Sequence, residues 1–317
     1  MSAATMKPKA TRQAFGETLA ELGAKYSNIV VLDADLAKST KSELFAKKYP
    51  DRFFEMGIAE ANMIGTGAGL AFSGLVPFIC SFGCFVTGRY DQIRLSIGYS
   101  HAGVRIIGTH AGVGIGDDGH SQMGLEDVTL MRAIPKMAVL QPCDEIETRQ
   151  MIEFLAKGTA GYDGPAYVRL TRQNLKPVHD ENYRWQFGKI DILKKGRDVL
   201  IAASGAGVQE AFIAADILAT KNIQATIVNV PSIKPLDVDG LKALVGSHKK
   251  WFTLEDHSII GGLGSAVAEV LAECGGQTQL TRFGVQDLFG ESGEPVELYE
   301  KYGISGARVA QGILERL

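Results

Sequence analysis

The stretch from Phe54 to Leu70 reads FEMGIAEANMIGTGAGL and sets Glu60 inside an otherwise almost wholly apolar helical pattern. Burying an unpaired carboxylate costs several kcal/mol even after relaxation, so this group must meet a specific partner or hold a proton. Three further polar stretches follow apolar, β-branched runs: DADLAKST over Asp33–Thr40, HAGVGIGDDGHSQ over His110–Gln122, and the segment opening at Arg172. In open parallel sheets ligands sit beyond the carboxyl ends of the strands, so chemistry is expected in the loops after Asp33, Thr109, Thr171 and Glu255. Glycine signals are weaker. Gly205-Ala-Gly207 lacks the third glycine of a dinucleotide fingerprint, because its sixth position is Glu210. Gly261-Gly262-Leu263-Gly264 opens a helix and would either cradle an anion on its amides or simply pack tightly, and packing is the expectation.

The elements that position these groups alternate. Helical periodicity over Thr11–Tyr26, Ala59–Phe72, Phe85–Ile97, Glu126–Arg132 and Asp144–Lys157 is interleaved with buried-strand runs at Asn28–Asp33, Leu75–Cys80, Val104–Thr109, Met137–Gln141 and Ala166–Thr171. That order predicts a parallel sheet covered by helices on both faces. The polar stretch Arg172–Arg184, with Pro177, reads as a linker, and a second α/β run follows with strands near 198, 225, 250 and 279. The fold class is α/β with two doubly wound domains, residues 1–175 and 188–317, joined by a linker at 176–187.

The bulk numbers fit that division. A chain of 317 residues can bury two cores, and 45% hydrophobic with 22% charged residues is the balance of a soluble globular protein. A formal charge of −3 argues against nucleic acid as a partner while allowing a local basic pocket. Cys80, Cys84, Cys143 and Cys274 lack paired metal-ligand spacing, and the N-terminus has no signal-peptide pattern, so free thiols in a reducing cytoplasm are expected. The uncharged run Ala61–Gly88 is broken by six glycines, Ser73-Gly74 and Pro77. Its pieces fall short of the ~20 residues that a bilayer requires, so no membrane span is expected.

Six stretches in order resemble the C-terminal part of transketolase, a thiamine diphosphate enzyme. They are ATRQAFGETLAEL from Ala10, FEMGIAEANM from Phe54, DQIR from Asp91, IGDDGHSQMGLEDV from Ile115, LTRQNL from Leu170 and LEDHSIIGGLG from Leu254. The resemblance implies a pyrimidine-binding domain followed by a transketolase C-terminal domain. It puts Glu60 on the glutamate that touches N1′ of the cofactor's aminopyrimidine, where a carboxyl group favours the imino tautomer. Phe82 and Phe85 fall where aromatic rings stack on the pyrimidine. Arg12, Ser39, His110 and Arg172 fall where the acceptor phosphate is held, a site that needs cations and hydroxyls around a dianion. Asp118 falls on the aspartate that reads the hydroxyl next to the reacting carbonyl. Gln122 stands where some members carry histidine, which favours hydrogen-bond donation over proton transfer. His120 replaces a proline common in the motif and would alter sugar choice or simply face solvent. His101 and His257 are read as structural.

The resemblance also exposes a gap. The family binds the diphosphate and a divalent cation through a G-D-G motif followed by asparagine, and this chain contains no G-D-G. The expectation is a split transketolase in which this chain binds no metal itself. A partner N-terminal subunit would hold the diphosphate and Mg²⁺ or Ca²⁺, in an α2β2 heterotetramer acting on sugar phosphates. The alternatives are the β subunit of a 2-oxo acid dehydrogenase E1, a deoxyxylulose-phosphate synthase fragment, and a non-catalytic regulatory subunit.

Overall fold

The computed structural model describes residues 6–317; residues 1–5 of the first expected domain lie outside the described residues. A seven-stranded sheet runs in the order Ser232–Lys234, Ala138–Leu140, Ala166–Arg169, Arg105–Thr109, Val76–Phe82, Ile29–Asp33, Phe53–Glu55. All its pairings are parallel except that of Ser232–Lys234, which runs antiparallel to Ala138–Leu140.

The strand sequences explain why helices cover both faces. Ile29 and Val31 join Phe78 and Ile107 beneath the helices Thr11–Lys25 and Glu145–Ala156, burying Phe15, Leu19 and Met151. Val30 and Leu32 point the other way, joining Ile79 and Ile106 beneath Glu60–Phe72 and Asp127–Ala133. A strand with apolar side chains at every position has no face to offer water, so two helical layers follow. Each such side chain contributes about 1.5–3 kcal/mol on burial, and Phe78→Ala would cost about 3–5 kcal/mol.

The second half repeats the logic in five strands, ordered Gln279–Val285, Lys250–Ser258, Val199–Ala203, Ala225–Asn229, Asp191–Lys194, with the last antiparallel. Val199 and Ile201 pack toward the helices Gly207–Ala219 and Gly306–Leu314, whereas Leu200 and Ala202 pack toward Leu263–Cys274. The α/β architecture expected from the sequence is therefore present in both halves.

Several elements depart from the sequence expectation. The short strands Phe53–Glu55, Asp191–Lys194 and Ser232–Lys234 carry too few residues to show a period. Ser232–Lys234 belongs to the second half yet completes the first sheet, so the halves share hydrogen bonds across their junction. The expected helix Phe85–Ile97 is broken into Gly83–Thr87, Tyr90–Gln92 and a π-helical stretch Ile93–Tyr99. Gly98 is needed in that stretch, because a Cβ there would overlap Ile134. The linker is anchored at its start by an antiparallel pairing of Asn174–Leu175 with Lys9–Ala10. Among the described residues no helix is long and apolar enough to cross a membrane.

Candidate active site

Arg12 opens the first long helix, and His110 follows the strand Arg105–Thr109. The Arg12 Nη1 donates to His110 Nε2 at 2.7 Å and to the Ser39 carbonyl at 2.7 Å, while Arg12 Nε is buried with no partner among the described residues. Since the guanidinium only donates, Nε2 must accept, and the imidazole carries its proton on Nδ1. Nδ1 then donates to Thr109 Oγ1 at 2.8 Å. His110 holds a left-handed backbone with φ of 57°. Such a conformation costs a non-glycine residue about 1–3 kcal/mol, and its surroundings must hold it there.

Burial first, then the charges of Arg12, Arg172 and Lys41, push the His110 imidazole down to about 2, so it is neutral at any working pH. In this arrangement His110 has no free donor for a phosphate; it aims Arg12 instead. The Phe82 ring stacks on His110 with centroids 3.8 Å apart and on Phe85 with centroids 5.5 Å apart. Phe82 is buried, whereas Phe85 keeps part of its ring exposed. Of the two aromatics, Phe85 is the one with surface left for a ligand.

The loop after Ala111 is closed at its neck by Gly112 N–H donating to the Gly124 carbonyl at 2.9 Å. Arg172 reaches across it, pairing with Asp117 Oδ1 at 2.7 Å, lying 3.8 Å from Asp118 Oδ2, and donating to the Ile115 carbonyl. Asp118 and His120 are exposed and Gln122 is half-buried. The Gln122 carbonyl accepts from Cys84 Sγ at 3.1 Å, which places that end of the loop beside the Phe82–Phe85 turn. Arg12, Ser39, His110, Phe82 and Phe85 thus form one contact chain. Asp118 and Arg172 form a second group, which Arg12 senses electrostatically.

Glu60 stands apart from both groups. It is the first residue of the helix Glu60–Phe72, where the helix dipole favours a carboxylate by about 0.3–1 kcal/mol. Yet the residue is only 6% exposed, and its carboxyl has no hydrogen bond or ion pair among the described residues. The dipole alone is a weak return for that burial.

Two supports of the site went unread in the sequence. Asp33 is buried after its strand and accepts from Thr40 Oγ1 at 2.7 Å, Ser42 Oγ at 2.8 Å and Leu36 N–H at 2.7 Å, which shapes the loop that carries Ser39. Burial lifts its carboxyl to about 6 despite those bonds. Lys41 adds the third cation near His110. The hydroxyl-rich run after Asp33 was the available signal. The GGLG turn resolves as packing around an internal acceptor: the buried Glu255 carboxyl, which burial pushes up to about 7, accepts from the Leu263 and Gly264 amides at 2.7 and 2.8 Å.

Away from this site, Cys143, Asp144 and His179 are buried with ligand-type atoms close together. Asp144 Oδ2 there already accepts from Val178 N–H, His179 N–H and His179 Nδ1 at 2.8–3.0 Å, and burial holds the Cys143 thiol protonated. Those bonds make the group a fastening for the linker.

The sequence matches the profile of the transketolase pyrimidine-binding domain over residues 7–177 and that of the transketolase C-terminal domain over residues 188–309. A Methanocaldococcus jannaschii protein with the provisional name transketolase C-terminal section is 45% identical over 98% of this chain and 96% of its own. The 6-deoxy-6-sulfo-D-fructose transketolase subunit of a Clostridium strain is 39% identical over 96% of this chain and 94% of its own. A solved split-gene transketolase, described as an inactive β4 tetramer, superposes with a TM-score of 0.87 at 41% identity over 98% of each chain. On its fold, its paired domains and these relatives, the chain belongs to the transketolase family.

Proposed function

We propose that this chain is the C-terminal subunit of a two-chain, thiamine diphosphate-dependent transketolase that moves a two-carbon ketol unit from a ketose phosphate to an aldose phosphate. The observation that carries the proposal is the carboxyl of Glu60, a residue only 6% exposed whose carboxyl has no partner among the described residues. A heteroaromatic ring nitrogen that shares its proton is the partner such a group fits. Bound beside Glu60, the cofactor supplies carbanion chemistry at a substrate carbonyl. Everything else is the work of side chains already in place.

Glu60 would hold N1′ of the aminopyrimidine, and Phe85 would stack on that ring with the buried Phe82 supporting it from behind. Arg12, whose Nε–H has no partner among the described residues, and Arg172 supply cations for the acceptor's terminal anion, and Ser39 fixes Arg12 through its carbonyl. His110 stays neutral and aims Arg12. Asp118 would accept from the hydroxyl next to the carbonyl, and Gln122 would donate a hydrogen bond. A phosphate ester is the expected terminal anion. The relative named for a sulfo-sugar makes a sulfonate the second candidate, since both present a tetrahedral set of oxygens to the same cations.

With no G-D-G in its sequence, the chain would leave diphosphate and Mg²⁺ or Ca²⁺ to an N-terminal partner subunit, as α2β2 in the cytoplasm. A 2-oxo acid dehydrogenase β subunit would not require the Arg12–Arg172 pair, and a regulatory subunit would not require a Glu60 carboxyl without a partner among the described residues. Titrating thiamine diphosphate calorimetrically into each subunit and their mixture, then assaying xylulose 5-phosphate against pyruvate, separates these readings. Tight binding by the mixture alone, with turnover of the sugar phosphate, is expected. Turnover of pyruvate instead would overturn the assignment.

A further inference from the structure

The loop carrying Asp118 is built by the first domain but is seated by the second. Asp256, buried near the end of the long strand Lys250–Ser258 of the second sheet, accepts from the Val113 amide at 2.8 Å and the Gly114 amide at 3.1 Å. Tyr299, also buried, donates its hydroxyl proton to Asp256 Oδ2 at 2.8 Å and accepts from Gln173 Nε2 at 2.7 Å. Gln173 is the neighbour of Arg172, so one hydrogen-bond chain joins both ends of the Arg172–Asp118 group.

The glycines show how tightly this seat is cut. A Cβ at Gly112, where φ is 84°, would overlap the Asp256 carboxylate, and one at Gly114 would overlap the Gln173 amide. On the other side a Cβ at Gly119 would come 2.5 Å from Ser292 Oγ, and Gly116 faces Pro295. The loop is gripped from two directions by residues of the second domain. Buried side chains that hold backbone amides fix a loop more firmly than its own turns do, because two N–H groups and a carboxylate would otherwise be left unpaired.

Resting on the transketolase reading above, we propose that Asp256 and Tyr299 are positioning residues for the acceptor site: through the Val113–Gly114 amides and Gln173 they set where Asp118 and Arg172 stand. The second domain is then a working part of the active site without touching the substrate. A displaced Asp118 and Arg172 weaken acceptor capture more than they slow the chemistry at the cofactor.

Tyr299→Phe, which keeps the ring, Gln173→Ala and Asp256→Asn test this in the two-chain complex and in the isolated chain. Loss of one buried hydrogen bond should raise KM for the aldose phosphate roughly tenfold while kcat stays within about threefold. In the isolated chain, hydrogen exchange at the Val113 and Gly114 amides should accelerate roughly tenfold, with Ile106 and Ile107 unchanged. Unchanged KM and exchange in Tyr299→Phe would overturn the proposal. So would faster exchange throughout the first sheet with an equal fall in kcat, the mark of a merely structural role. If the wild-type complex transfers no ketol unit, the functional reading fails by itself, and the exchange measurement alone decides the seating.

Discussion

Two buried histidines of this chain end up with opposite charge states, and the contrast separates its two kinds of polar site. His110 sits among Arg12, Arg172 and Lys41, and burial with those cations pushes it down to about 2. His179 sits between Asp144 at 3.0 Å and Asp191 at 3.2 Å. There burial opposes the proton, but the hydrogen bonds to the two carboxylates and the charges of Asp144 and Glu147 outweigh it and push the imidazole up to about 10. One histidine is neutral and takes no charge from its neighbouring cations, among which Arg12 keeps an Nε–H without a partner among the described residues. The other is an imidazolium whose partners are complete. Arg12 Nε beside His110 and the carboxyl of Glu60 therefore keep open polar atoms among the described residues, whereas His179 in the linker pin has both ring nitrogens paired. Changes at the first should alter function with little change in stability, and changes at the second should do the reverse.

The largest effect is expected at Glu60. Glu60→Gln in the two-chain complex should lower ketol transfer by about 10²–10⁴-fold, the usual worth of a positioned acid–base group, with the unfolding midpoint unchanged or raised. A large drop in stability would mean that the carboxyl has a structural partner after all. Next comes His179→Gln, which removes the buried cation between Asp144 and Asp191 and should cost about 3–5 kcal/mol in denaturant unfolding while leaving KM for both sugars unaltered. An activity loss without a stability loss would erase the contrast. Arg12→Ala should follow, raising KM roughly tenfold or more for a phosphorylated acceptor and far less for its unphosphorylated analogue. Equal effects on the two acceptors would move the phosphate elsewhere.

The pH dependence sharpens the same contrast with smaller effects. His179 has its pKa raised on folding, so its stabilisation is complete below about 6.5 and is lost as pH rises toward about 10. His110 has its pKa lowered, so its contribution is present above about 6.5 and is lost as pH falls toward about 2. Stability profiles of His179→Gln and His110→Gln should flatten on the alkaline and acid limbs respectively. Flattening on the opposite limbs would reverse both assignments.

Most of the fold was legible, because strands such as Ile29–Asp33 are apolar at every position and helices such as Thr11–Lys25 hold a clear period. Pieces of three residues, such as Phe53–Glu55 and Ser232–Lys234, were not, since pairing partners rather than their own pattern make them strands. At the site, a carboxylate in an apolar helical run pointed to Glu60, and the family resemblance pointed to Arg12 and Arg172. Roles were harder to read. The neutrality of His110 comes from burial and then from cations in three separate segments, and Asp256 grips a loop more than 140 positions earlier in the chain, distances that no local pattern encodes. The isolation of Glu60 was visible as a carboxylate in an apolar run, although only the folded chain reveals that nothing among its described residues satisfies it.

The central claim is that this chain holds half of an active site. The direct measurement is ketol transfer from xylulose 5-phosphate to ribose 5-phosphate, with thiamine diphosphate and Mg²⁺, by this chain alone and after mixing with a subunit that carries the G-D-G…N motif. Activity only in the mixture is predicted. Full turnover by the isolated chain would contradict the account.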